Sequence, residues 1–256
     1  MPSLKICSLT LLLLLSSSAL MAAGPRVEVE VRGWDPDASG GLRVEAGGFG
    51  TLIDLQSDIG LEGDPIGDFR LTFHPSPRTL LRLSRVPLSY AGDQVVSRSI
   101  SFGGETFTVS TRVASRLEMD YVRAAFGWQF LSSADNRFRI GPIIEARGFE
   151  GDASLSAPDL VAVPSVVETF EAAFGSAGLI FDLEPTDRVH FFGEFGILVG
   201  SDKGDQTDFE MGARVKLWSA LHLIAGYRSI DFKLDDAPDF ADLSMDGAFL
   251  GLSARF

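Results

Sequence analysis

Ser244-Met245-Asp246-Gly247-Ala248-Phe249-Leu250-Gly251-Leu252-Ser253-Ala254-Arg255-Phe256 decides the fold. Counting back from Phe256 in steps of two meets Ala254, Leu252, Leu250 and Ala248. The other parity holds Arg255, Ser253, Gly251 and Gly247, broken only by Phe249. Successive side chains of a strand point to opposite faces, so one face is apolar and the other small or polar. A tilted strand crosses a bilayer in about 9–11 residues, and this segment is long enough.

The opposite end of the chain carries an export address. Lys5 supplies a positive start, Leu9 to Leu15 form a short apolar core, and Met21-Ala22-Ala23 offer small residues for cleavage. A spanning helix needs about 20 apolar residues, and this run is shorter. The expectation is a signal peptide over 1–23 and a single domain over 24–256. Cys7, the only cysteine, lies within the signal, so the mature chain has no disulfide framework. The chain holds 22 Lys and Arg against 35 Asp and Glu, a formal charge of -13. That balance repels nucleic acid. No later apolar stretch reaches helix-spanning length, so any membrane insertion must use a barrel.

Ten segments have strand character, at 26–34, 65–74, 79–91, 107–131, 137–150, 166–183, 188–200, 206–217, 221–233 and 244–256. The turns at 75–78, 132–136, 184–187 and 218–220 are tight. The stretches 35–64, 92–106, 151–165 and 234–243 are longer and richer in acids and glycine; only 201–205 is short. Sorting of loops by parity puts short turns on one rim and long loops on the other, as in outer-membrane barrels, whose short turns face the periplasm. An even strand count places both termini on the periplasmic side. Leu42 to Ala46 could add a strand and Pro87 could interrupt one, so eight or twelve strands also fit. Gly103-Gly104, flanked by Ile100, Phe102, Phe107 and Val109, reads as a hairpin above the membrane.

Each strand separates an apolar face from a polar one. Phe209, Met211, Ala213, Val215 and Leu217 oppose Glu210, Gly212, Arg214 and Lys216; Phe69, Leu71 and Phe73 oppose Asp68, Arg70, Thr72 and His74. A lipid-facing barrel puts the apolar set outside. The aromatics Phe73, Trp128, Phe130, Phe181, Trp218 and Phe256 fall beside the short turns, as an interfacial girdle would.

The closing segment resembles the last strand of Gram-negative outer-membrane β-barrels, which ends on Phe with apolar residues at alternate positions. The resemblance implies that Phe256, Ala254, Leu252 and Leu250 are read by the barrel assembly machinery. Asp54-Leu55-Gln56-Ser57-Asp58-Ile59-Gly60-Leu61 looks like a D-L-x-x-D-x-G-L segment in the first outer loop of some uncharacterised barrels of that membrane. Arg82-Leu83-Ser84, Pro87-Leu88-Ser89-Tyr90 and residues 102–108 extend that resemblance over 54–130. It implies a fold and not an activity.

Catalytic chemistry finds little support. Gly-x-Ser-x-Gly, His-Glu-x-x-His, Walker and dinucleotide motifs are missing. His74, His190 and His222 all sit beside short turns, whereas known barrel hydrolases resemble one another in placing a histidine towards the outer rim. Asp235, Asp236, Asp239 and Asp242 read as a solvated acidic loop. Asp35-Pro36-Asp37-Ala38-Ser39-Gly40 resembles the start of a calcium loop, but the twelfth position is Ala46 rather than Glu. No catalytic, cofactor or metal residue is therefore assigned.

The expectation is an all-β protein, one antiparallel transmembrane β-barrel of about ten strands in the outer membrane. It would be monomeric and non-enzymatic, with outer-membrane lipid as partner, and serve as envelope structure, surface contact or narrow solute passage. The rival readings are a barrel enzyme acting on lipid or peptide at the outer rim, and a secreted soluble barrel holding an apolar ligand. A turn centred on Gly204 would set Glu194 opposite Arg214. One centred on Ser219 would set Glu210 opposite Arg228. With Arg70, Arg123 and Lys216 these would form a polar lumen plug.

Overall fold

The computed structural model describes residues 27–43, 50–63, 65–160, 165–199, 204–236 and 239–256. The expected signal peptide and its cleavage point lie outside the described residues. Ten long strands follow one another: β1 Val27–Arg43, β2 Ile66–Ser76, β3 Thr79–Val95, β4 Arg112–Trp128 and β5 Phe138–Ser156. The second half is β6 Val166–Thr186, β7 Val189–Val199, β8 Gly204–Lys216, β9 Leu221–Asp236 and β10 Asp239–Arg255. Each pairs antiparallel with its chain neighbours, and β1 pairs with β10 from Glu28↔Arg255 to Arg43↔Phe240. The sheet is thus closed and leaves no long edge. At the seam the Val27 amide donates to the Phe256 carbonyl over 3.1 Å, and the Phe256 amide returns a bond of 2.9 Å.

The short turns share the rim that holds both chain ends of the barrel. The opposite rim departs from expectation in one respect. Much of the acidic, glycine-rich stretches is strand, so β1 runs on to Arg43, β5 to Ser156 and β9 to Asp236, leaving two residues before β10. The calcium-like segment is part of this. In β1, Asp35 and Asp37 are exposed while Pro36 and Ala38 are buried, so the two carboxylates lie along the outer wall. Pro87 stays within β3, pairing in register with Asp120; the β2 ladder has ended at Arg85, so this stretch runs on a partly open side where a missing amide is tolerated.

The wall changes character halfway up. Near the short-turn rim the outside is apolar, with Val31, Phe69, Leu83, Phe126, Ile144, Leu179, Phe195 and Leu250 exposed. The inside there is charged, with Glu30, Arg70, Arg123, Glu145 and Glu210 buried. Nearer the long loops the pattern inverts without a change of parity. On β4, Leu117 and Met119 point inward and Arg116 and Glu118 outward; on β5, Phe149 and Ala153 point inward and Glu150 and Asp152 outward. The lower half is built as a lipid-facing barrel and the upper half as a water-facing one.

Two insertions fill the upper mouth. Residues 50–63 fold inward and bury Ile53, Leu55, Ile59 and Leu61 beside Leu117, Ala153 and Leu155. The hairpin expected at Gly103-Gly104 forms from Ile100–Phe102 and Glu105–Phe107 and buries Ile100, Phe102 and Phe107. Both turn glycines have positive φ, 55° and 85°, the geometry that a two-residue hairpin favours. The Thr51 amide bonds the Ser101 carbonyl at 3.0 Å and ties the two insertions together.

Candidate functional site: the charged lumen

Inward parity of the lower strands brings carboxylates and guanidinium groups into one layer. Glu28, Glu30, Asp68, Glu145, Glu194, Asp208 and Glu210 face Arg32, Arg70, Arg82, Arg123, Arg147, Arg214 and Arg228, equal in number. Many of the contacts run between strands that are not neighbours in the sheet. Arg82 of β3 reaches Glu194 of β7 at 2.5 Å, and Arg123 of β4 reaches the same carboxylate at 2.8 Å. Arg123 also contacts Glu145 at 3.2 Å and Asp208 of β8 at 3.4 Å. Arg70 of β2 donates twice to Glu210 of β8, at 2.9 and 2.7 Å, and Arg32 of β1 donates to it at 3.1 Å. Arg214 closes the chain to Glu30 at 2.6 Å and Glu28 at 3.1 Å. A group removed from water must find opposite charge, and most of these find it across the lumen, whereas Glu145 finds it on its own and the adjacent strand.

Of the residues expected in this network, Arg70, Arg123, Glu194, Glu210, Arg214 and Arg228 are buried in it. Glu210 and Arg228 are register partners across β8 and β9, as a turn centred on Ser219 requires. Glu194 and Arg214 are not partners: Glu194 lies opposite Glu210, and Arg214 opposite His190. Gly204 belongs to β8 and not to the turn. A Cβ there would come within 2.2 Å of the Lys233 carbonyl oxygen, so its absence lets β8 and β9 approach closely. Lys216 is exposed at the short-turn rim, outside the ion-pair layer.

Sequence reasoning passed over Glu28, Glu30, Arg32, Asp68, Arg82, Glu145, Arg147 and Asp208. Their inward parity on strands already assigned was the available signal. It also passed over an aromatic collar at the level where the wall inverts. Arg32 stacks over Phe249 at 4.6 Å, which explains the one break in the alternation of β10. Arg228 lies 5.4 Å from both Trp34 and Tyr121, and Arg214 lies 4.2 Å from Phe192. Such faces attract guanidinium groups and join the charged layer to the apolar one above.

Below the network a polar vestibule of about 390 Å³ opens at the short-turn rim, lined by His74, Arg139, Asp182, Glu184, His190 and Arg255 among others. His190 Nε2 lies 2.5 Å from Asp182 Oδ1, and Arg255 lies 3.2 Å from its Nδ1. His74 is 3.9 Å from Glu28, and His222 is buried. All three histidines are therefore at this end. Phe256 is 70% exposed on the outer wall, with Leu250 and Leu252 exposed above it and Ala254 half-buried. Trp128, Trp218, Phe73 and Phe130 are exposed around the same rim, and Phe181 is half-buried.

No family model matches the chain, and no curated protein matches it. Solved structures do. The outer membrane protease OmpT from Escherichia coli aligns with a TM-score of 0.58 at 8% identity, covering 90% of this chain and 97% of that one. The translocator domain of the autotransporter NalP from Neisseria meningitidis aligns with a TM-score of 0.51 at 13% identity, covering 91% and 89%. At such identities the likeness speaks for architecture alone: the fold is that of Gram-negative outer-membrane β-barrels.

Proposed function

We propose that the protein is a non-enzymatic barrel of the outer membrane, with both termini periplasmic and a lumen that serves as a structural plug. Its work is then done by its outer half, as envelope structure or a surface for contact, and not by passage of solutes through the centre. The observation that carries this is the lumen-crossing layer of ion pairs, in which Arg123 alone joins β4 to β5, β7 and β8. An ion entering from either end meets charges already neutralised and held by neighbours. The insertions over the upper mouth support the same reading. His74 and His190 line the short-turn vestibule and His222 lies near the same rim, away from the rim where an enzyme acting on outer-leaflet lipid or external peptide would work. Lipid and the assembly machinery are the partners this reading needs, and a closed single-chain barrel meets it as a monomer.

Planar-bilayer recording on refolded protein tests it. The wild type should show no steady conductance, and the double variant Arg123→Ala/Glu194→Ala should show openings. A large stable wild-type pore, unchanged in the double variant, would overturn the proposal.

A further inference from the structure

The upper half of the barrel encloses a second cavity of about 260 Å³, walled by Leu42, Leu117, Phe149, Phe170, Phe232 and Leu243. Its floor is aromatic. Phe149 stands 5.5 Å from Phe232, and Phe174 stands 6.0 Å from Phe232, stacked at 24°. Leu55 of the inward-folded insertion forms part of its wall. We propose that this chamber binds a small apolar molecule that is uncharged or carries one positive charge.

The argument is first one of solvation. Membrane barrels ordinarily line their lumen with polar groups, because water fills it. Here the inward residues around a void are aliphatic and aromatic, and an apolar occupant would release water from surface that solvates poorly. Barrels holding a single small ligand in a side-chain-lined interior are a known use of this geometry. Pockets for drug-sized ligands span roughly 300–1,000 Å³, so this chamber suits a compact molecule of up to about three rings or a short chain.

Charge narrows the class. On β6 the even-numbered residues face inward, as buried Ser176 and Ile180 show, which puts Glu168 on the inward side of the chamber mouth. Arg43 and Asp242 also border the chamber, on the outward parity of β1 and β10. A carboxylate at the mouth of an apolar space disfavours an anion such as a fatty acid and tolerates an amine. The hairpin tip stands over this mouth: a Cβ on Gly103 would lie 2.5 Å from Val166 and 2.6 Å from Glu168.

The probe is N-phenyl-1-naphthylamine, an uncharged aromatic amine whose fluorescence rises in apolar surroundings, added to full-length mature protein in lipid nanodiscs. Wild-type protein should give a saturable rise above the linear background of empty nanodiscs. The sulfonated analogue 8-anilino-1-naphthalenesulfonate should bind at least about tenfold more weakly, and Glu168→Gln should narrow that gap. Ala153→Phe and Leu243→Trp should each remove the saturable part while keeping heat-modifiable migration in gels. A wild-type signal indistinguishable from empty nanodiscs would overturn the proposal, whatever the variants do. So would equal binding of the sulfonate, or saturable binding unchanged in a folded filling variant. The chamber and the charged plug occupy different halves of the barrel, so this result and the conductance result are separable.

Discussion

Arg123 shows what a single residue does in this lumen. Its guanidinium contacts Glu145, Glu194 and Asp208 within 3.4 Å and is buried with them. Removing it leaves buried carboxylates short of a counter-charge, which typically costs about 3–5 kcal/mol. Arg123→Ala should therefore lower the unfolding free energy by about that amount in urea titrations of protein refolded into vesicles. A loss comparable with an exposed substitution would mean that the network is hydrated and not load-sharing. The outward face gives a complementary test. Ile144 is 58% exposed on the apolar belt. In a bilayer, arginine there should cost about 2–4 kcal/mol, whereas on a water-facing surface such changes stay within about 0.5 kcal/mol. The same titration on Ile144→Arg thus distinguishes a membrane barrel from a secreted soluble one.

At the scale of elements, the ten strands were legible because a period of two survives in nearly every one, and Phe256 marks where the last ends. Two things were not legible. The register between β7 and β8, which sets Glu194 opposite Glu210, is one that composition does not reveal. The inversion of the wall keeps parity and changes only which parity is apolar, so faces assigned from the lower half mislead in the upper half. Phe249 was the visible trace of that inversion, and alternation alone could not tell a defect from a collar. The insertion at 50–63 illustrates the same limit: its D-L-x-x-D-x-G-L pattern showed resemblance, while the structure shows its leucines turned inward. Asp58 anchors it. Arg98 donates to both Asp58 carboxylate oxygens, and the Asp54 amide donates to one at 2.8 Å. The hydrogen bonds from Arg98 hold that carboxyl below its usual range, against partial burial that pushes it up. A depressed folded pKa means that the anchor contributes fully above the ordinary carboxylate value of about 4 and is lost as pH falls through the lower folded value. A fluorophore on Ser57→Cys should therefore gain mobility only in that acidic window. Arg98→Ala should make it mobile already at pH 7. Anisotropy independent of both would remove Asp58 from this role. Deleting Phe256, whose backbone closes the β1–β10 seam, should reduce the amount of protein in the outer membrane and expose it to periplasmic proteases; normal abundance would count against an assembly role.

The whole molecule is asymmetric along its axis, and that asymmetry predicts its orientation. The apolar outer belt hugs the rim that carries the short turns, Trp128, Trp218 and Phe256. Above the belt the wall is studded with exposed ion pairs, Arg85 with Asp120 at 2.9 Å, Arg116 with Glu118 at 3.1 Å, and Arg112 with Asp93. Charges so placed belong in water, so about half the barrel projects beyond the lipid on the long-loop side. Outer-membrane barrels keep short turns periplasmic and long loops outside, which predicts that the projecting half lies on the cell surface. Thr106, exposed on the hairpin over the upper mouth, and Ser76, exposed at the β2–β3 turn, report the two sides. Thr106→Cys should react with a membrane-impermeant maleimide on intact cells. Ser76→Cys should react only after the outer membrane is breached. Labelling of Ser76→Cys but not Thr106→Cys on intact cells would reverse the orientation. It would also move the apolar chamber and its acidic mouth to the periplasmic side, where a ligand would have to arrive from within the cell envelope.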